Sequence, residues 1–438
     1  MNKIKQHKNQ IIESIIIFST ILLFTLVFNN FSLDEIWNYG FAYNISEHLI
    51  PYKDFNMVIT PLYPFISSIF LTIFGKNIII YYIFNAITTT ILYYYIKTHN
   101  KNTYYIIYTL LLPLVIPTYS LFSILLLYII ITLEDKKSND YIIGIFLGLT
   151  FLTKQNIGIY LCIPTLFTKD IKKIYKRIIG FLIPNIILLI YLLLNDALYQ
   201  FIDYTFLGMT SFLNNTHINY PLLLLTIITV IILIYKYIKI KDIKILYLIC
   251  IQGMSFPIID TYHVLLPFLV ALSYIIKDIK INIKYTKFLF LVFIMITTIY
   301  NIYTNTKENY QYPNELITYK YRKADPNTIQ VINDLKKYIL SKEEKIFIIN
   351  QRAYLIKLEA NLPINKYDLL NDGNLGKAGE YKIIKEITNI CNKEKCIFLL
   401  DKSELKNNQS QYNKEILNYI NDTYYEIGAI YQFAIYKN

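Results

Sequence analysis

The sequence predicts a polytopic α-helical membrane protein that ends in a small α/β domain, and three observations lead there. Hydrophobic residues make up 55% of the 438 and charged residues only 17%, a balance typical of chains that meet lipid. The apolar residues come in near-continuous runs of Ile, Leu, Phe and Tyr from Ile11 to Tyr303, and charges are confined to the short connectors between them. Several runs are long enough to cross about 30 Å of hydrocarbon as helices. From Thr304 onward charges are spread evenly and apolar residues fall in short periodic groups, the pattern of a water-exposed fold. The division expected is therefore residues 1–303 in the membrane and residues 304–438 outside it.

A formal charge of +12 does not point to nucleic acid here, because the lysines collect in connectors. Residues 1–10, 97–101, 136–137, 169–177, 236–244 and 277–287 hold 20 Lys and Arg, whereas the opposing connectors hold only Lys53, Lys76 and Lys154. The positive-inside rule then places the first set in the cytoplasm. The N-terminal run from Ile11 to Phe28 has the basic flank of a signal peptide without a small-residue cleavage site, and reads as an uncleaved span. Crossings follow at 11–31, 77–96, 103–118 and 119–133.

Next comes Tyr141 to Thr168, 28 residues bounded on both sides by basic connectors. Two short helices turning at Thr153–Asn156 satisfy both ends and leave Lys154 at the outer turn; one tilted helix with a snorkelling lysine is the alternative. Further crossings fall at 178–195, 220–236, 244–259, 263–277 and 288–303, eleven in all, which leaves the tail outside. Pro61 to Gly75 is too short to span and reads as an outer helix at the interface, as does the amphipathic stretch from Asp196 to Met209. In the tail, Asp325 and Pro326 open a helix, 377–390 and 411–421 read as helices, and "KIFIIN", "CIFLLD" and "YYEIGAIYQFAIY" read as strands. Cys391 and Cys396 can pair if the tail faces an oxidising compartment. His217 reads as a loop residue, and "DGNLGKAGE" (372–380) as a plain loop before a helix, since it lacks the spacing of a phosphate-binding loop.

This threading gathers the polar residues that need explaining on the outer face: Asp34, Glu35, His48, Lys53, Asp54, Lys154, Gln155, Asn156, Asp260, Tyr262 and His263. A carboxylate at a low-dielectric boundary titrates nearer neutrality and can act as a base, and a cation beside it can hold a phosphate. Taken singly, each is also what an ordinary wetted interface residue looks like. Trp37 suits an interfacial anchor better than a sugar platform.

The stretch "LDEIWNYGFAYNISEHLIPYKDFNMVITPLYPF", with the later Phe74-Gly75, resembles the first outer loop of the GT-C membrane glycosyltransferases. The branch it is most similar to holds the protein O-mannosyltransferases and the lipid A aminoarabinose transferases. "GLTFLTKQNIGIY" and "TYHVLLPFLVAL" resemble two later elements of the family. The resemblance implies an integral inner-membrane enzyme with a cytoplasmic N-terminus. It would transfer a sugar from a polyprenyl-phosphate donor to an extracytoplasmic glycolipid, polysaccharide or protein. It implies Asp34 as catalytic base and Glu35 as its neighbour in acceptor or metal binding. Lys154 is the first candidate to hold the donor phosphate, with Lys53 and His263 next, and Asp54, Gln155, Asn156 and Tyr262 are candidate substrate contacts. One direct displacement would invert the anomeric centre.

The aminoarabinose enzymes carry a Glu-Lys-Pro element where this chain reads "VITPLYP", and no Asp-x-Asp motif is present. The resemblance leaves a divalent cation open, with Lys53 and Asp54 as candidates to take over part of the role of the missing element. Two alternatives stand beside the enzyme: a transporter of polyprenyl-linked glycans, which needs charges along a route through the bilayer, and a non-catalytic anchor displaying the tail.

Overall fold

A computed structural model of the protein describes residues 2–27, 32–208, 218–313, 315–350, 352–370, 374–377, 379–402 and 414–437. His217, Asp372 and Gly373 lie outside the described residues. Helix α1 (Asn2–Val27) leads to α2 (Leu33–Ser46) and α3 (Leu62–Phe74). There follow α4 (Ile78–His99), α5 (Tyr104–Leu111), α6 (Tyr119–Asp135), α7 (Asp140–Thr153), α8 (Gln155–Leu166) and α9 (Ile171–Leu194). A short α10 (Leu198–Ile202) precedes α11 (Tyr220–Ile240), α12 (Ile243–Ile251), α13 (Thr261–Ile275) and α14 (Ile283–Lys307). Each of the eleven segments expected to cross holds an apolar helix. By length and composition alone, α4, α9, α11 and α14 are long and apolar enough to cross a membrane. Large apolar side chains such as Ile187, Ile231 and Ile299 are exposed along α9, α11 and α14, where only hydrocarbon would cover them.

The stretch from Tyr141 to Thr168 is two helices, as both basic flanks require. The break falls at Lys154, whose backbone (φ −152°, ψ 106°) leaves the helical region between α7 and α8. Helix α7 lies against α9 with almost no side chain between them. A Cβ on Gly180 would sit 2.2 Å from the Tyr141 carbonyl oxygen, and one on Gly144 would sit 2.2 Å from that of Arg177. Glycine lets the two backbones meet. Gly180→Val is therefore expected to destabilise the protein by about 3 kcal/mol or more, read as a lower thermal midpoint in detergent. Gly428→Ala, where an added Cβ meets nothing within 4 Å, should leave that midpoint in place.

Connectors assigned to one side by their lysines do gather at one end of the bundle. Buried Arg177 pairs with Glu134 at 2.7 Å and Asp140 at 2.8 Å, and Lys244 pairs with Asp135 at 2.5 Å. His99 approaches the same Asp135 at 3.5 Å, and Lys97 pairs with Glu13 on α1.

The tail folds as α15 (Pro326–Leu340), β1 (Lys345–Ile349), α16 (Ala353–Glu359), α17 (Gly379–Cys391), β2 (Cys396–Asp401), α18 (Lys414–Thr423), β3 (Tyr425–Ile430) and β4 (Phe433–Lys437). The sheet order is β1-β2-β4-β3, with β1 and β2 parallel and the other pairs antiparallel. Alternate residues serve two cores. Phe347, Phe398 and Leu400 pack with α17 and α18, whereas Ile348, Ile397 and Leu399 pack with α15 and α16. Cys391 and Cys396 form a disulfide. Asp325 caps α15 by accepting from the Thr328 amide at 2.9 Å.

Three details differ from the sequence reading. The single strand expected at the end is a hairpin, β3 and β4; α16 had no sequence signal; and α14 runs past residue 303 to Lys307. Nor does the tail stand apart from the helices. Leu316, Tyr319, Tyr354 and Ile364 share one buried cluster with Ile36, Tyr39 and Phe41 of α2. Asn44 donates to the Ile364 carbonyl at 3.0 Å, and Asn56 donates to those of Leu369 and Asn374 at 2.9 and 2.7 Å.

Candidate functional site

The first turn of α2 is fixed by a capping box. Ser32 Oγ accepts from the Glu35 amide at 3.1 Å, and the Glu35 carboxylate accepts from the Ser32 amide at 3.4 Å. Asp34 lies inside that turn, partly accessible and within electrostatic reach of His263, Lys154 and Asp260. Burial pushes its carboxyl above the usual range; His263 and Lys154 pull it back, and Asp260 adds to the rise.

Lys154 approaches from the α7–α8 turn and is buried. Its ammonium is 5.1 Å from the centre of the Tyr119 ring and donates to Ser120 Oγ at 3.4 Å. Burial brings this lysine down to about 8 against the opposing pull of Asp34 and Asp260. Asp260 caps α13, accepting from the His263 amide at 2.8 Å, and both its carboxylate oxygens lie 2.9 Å from His263 Nδ1. Burial pushes the Asp260 carboxyl up, but its bonds to His263 outweigh that and hold it below the usual range.

Lys154 and His263 border a cavity of about 100 Å³ that Gln155, Asn156, Tyr119 and Phe256 also line. Gln155 Nε2 donates to the carbonyls of Val58 (2.9 Å) and Thr205 (3.1 Å), so the turn is tied to the first long loop and to the segment after α10. Asn156 donates to the Phe256 carbonyl at 3.3 Å, and the Tyr262 and Thr118 hydroxyls meet at 2.8 Å. The cluster thus joins residues 34, 118–120, 154–156 and 260–263 at the end of the bundle that also carries the tail.

No family model matches the chain, and no curated protein matches it in sequence. In three dimensions it is similar to the crystal structure of ArnT from Cupriavidus metallidurans bound to undecaprenyl phosphate. The TM-score is 0.60 at 8% identity, over 99% of this chain and 98% of that one. The chain has a GT-C fold.

Within this GT-C fold the remaining candidate residues sit elsewhere. Lys53 is half-exposed and donates to the Asn195 carbonyl at 3.0 Å, with Asp196 4.0 Å away, so it fastens the first long loop to the end of α9. Asp54 closes its own turn by accepting from the Ile50 amide at 2.6 Å. Neither is among the charges acting on Asp34 or Lys154. His48 is exposed in the turn after α2.

Glu35 parts from its neighbour. Its carboxylate accepts from Arg322 Nη1 at 2.6 Å and from the Tyr82 hydroxyl at 2.8 Å, so it faces the tail connector and α4. Sequence reasoning missed Arg322, although a signal existed: Arg177, Arg322 and Arg352 are the only arginines in a chain whose Lys and Arg total 43. An arginine stands out in so lysine-rich a chain, and its guanidinium offers a planar fork of donors that lysine lacks. Among the described residues, no group of three or more His, Cys, Asp or Glu is placed to hold a metal ion.

Proposed function

We propose that the chain is an inverting glycosyltransferase of the membrane, moving a sugar from a polyprenyl-phosphate donor to a hydroxyl-bearing acceptor on the extracytoplasmic side. The observation that carries this is that a partly accessible carboxylate, Asp34, and a buried cation, Lys154, lie within electrostatic reach of each other, brought there by helices far apart in sequence, with Lys154 and His263 lining one cavity. The face is the one away from the basic connectors, and ArnT, with the same fold, is a protein that binds undecaprenyl phosphate.

In the reaction, the acceptor O–H gives its proton to the Asp34 carboxylate as its oxygen attacks the anomeric carbon. The bond from that carbon to the phosphate oxygen breaks with its electron pair, and polyprenyl phosphate leaves. The departing oxygen gains negative charge, and the Lys154 ammonium, with His263 lining the same cavity, meets that charge. Asp260 holds His263 Nδ1 and so fixes the direction of Nε2. Gln155 and Asn156, set at the cavity by their carbonyl partners, and Tyr262 are assigned to substrate. The Glu35 carboxylate is already committed to Arg322 and Tyr82, so we assign it to holding α2 rather than to acceptor or metal; no step is assigned to a metal ion. The tail, joined to α2 through a common core, is assigned to acceptor positioning.

The test is transfer from labelled polyprenyl-phosphate sugars by purified protein, with product configuration read by NMR. Inverted product made by wild type and absent with Asp34→Asn supports the reading. Retained configuration, or transfer untouched by that change, overturns it. Movement of the intact lipid-linked sugar across vesicles without transfer favours the transporter.

A further inference from the structure

Next to the charge cluster at Asp34 lies a buried assembly that holds α2. Glu35, Tyr82 and Arg322 are 3%, 0% and 2% exposed, and one carboxylate joins them. Arg322 Nη1 donates to Glu35 Oε1 at 2.6 Å and to the Tyr82 hydroxyl at 3.0 Å, and that hydroxyl donates to the same Oε1 at 2.8 Å. Glu35 is also the residue that closes the capping box on Ser32. The carboxylate therefore ties the first turn of α2 to α4 and to the connector after α14, across 287 residues of sequence in the case of Arg322.

Successive residues of a helix point about 100° apart. With Glu35 held toward Arg322, Asp34 leaves the helix on another side, where the charges that act on it most strongly are His263 and Lys154. We propose that Arg322 is a positioning residue for the base: it holds Glu35, and through Glu35 the turn that aims Asp34, so the tail connector is part of the machinery of transfer. This rests on the glycosyltransferase reading. A buried ion pair gains little stability, because desolvation offsets most of the attraction; what it can supply is one fixed arrangement of the elements it joins.

The experiment compares Arg322→Gln, Arg322→Lys, Glu35→Gln and the double variant Glu35→Gln/Arg322→Gln, all in the full chain. The double variant removes both charges together and so leaves none buried alone, which keeps a folded protein in hand if the single variants fail to fold. Loss of aim is expected to lower kcat roughly 10- to 100-fold with KM within about twofold. The double variant should be no worse than the worse single, and Lys should recover part of the loss. Amide exchange of residues 33–46 should quicken in the variants, while that of β1 and β2 stays unchanged.

A double variant with kcat within about twofold of wild type, a change confined to KM, or α2 exchange equal to wild type overturns the proposal. Wild-type protein that transfers no sugar would instead defeat the glycosyltransferase reading, and the exchange measurement would still decide whether Arg322 holds α2.

Discussion

Asp34→Asn is expected to lower the rate of sugar transfer roughly 10²- to 10⁴-fold, the usual contribution of a positioned general base. The substitution keeps the side chain's size and removes only its charge and its capacity to take a proton. Its effect on stability should have the opposite sign. Burial raises the Asp34 carboxyl above its ordinary range, so its folded value exceeds its unfolded one. Such a group favours the fold below the unfolded value, and that advantage is lost as pH rises through the folded value. At neutral pH the ionised carboxylate is therefore kept at a cost to the fold, and the neutral amide relieves it. A thermal midpoint for Asp34→Asn equal to or above wild type, together with lost activity, is the expected pair of results. The same raised value places the acid limb of the kcat profile above the ordinary carboxylate range, because Asp34 must be ionised to act. A variant that loses fold and activity together would mark Asp34 as a structural residue, and one that keeps activity would end its assignment as base.

Much of the fold was legible in the sequence, for reasons particular to each part. Hydropathy and connector charge yield the helices and their grouping, because the bilayer leaves few ways to satisfy a backbone. The break at Lys154 followed from charge alone, since both flanks of 141–168 had to lie on one side. What stayed hidden required contacts far apart in sequence. Asp34 and Glu35 are adjacent acids in the sequence, and only the position of Arg322 shows that the Glu35 carboxylate turns to other partners. Helix α16 is buried on every face, so it shows no polar stripe for periodicity to detect. The hairpin turns at Tyr431, a non-glycine residue with φ of 50°, and so lacks the Asn-Gly or Gly-containing signal that normally separates two strands.

Lys154 is the group whose titration should shape the alkaline side of catalysis. Its ammonium meets a developing phosphate charge only while protonated, and burial brings it down to about 8. Wild-type kcat is accordingly expected to fall as pH rises through about 8, the sign opposite to that of the Asp34 limb. Lys154→Met should cost roughly 10²- to 10³-fold in kcat, in the range of other losses of a preorganised group facing transition-state charge. Lys154→Arg separates charge from geometry. Guanidinium stays protonated throughout the accessible range, so this variant should lose the alkaline limb near 8 whatever its absolute rate. The site allows a larger head group no easy fit, with Tyr119 and Ser120 packed against the ammonium, so a reduced rate is expected alongside the flattened profile. A profile that still falls near pH 8 in Lys154→Arg would assign the limb to another group and leave the leaving phosphate without its proposed cation. If the limb vanishes, the proton that limits the reaction at high pH sits on this lysine, at the turn where two short helices meet.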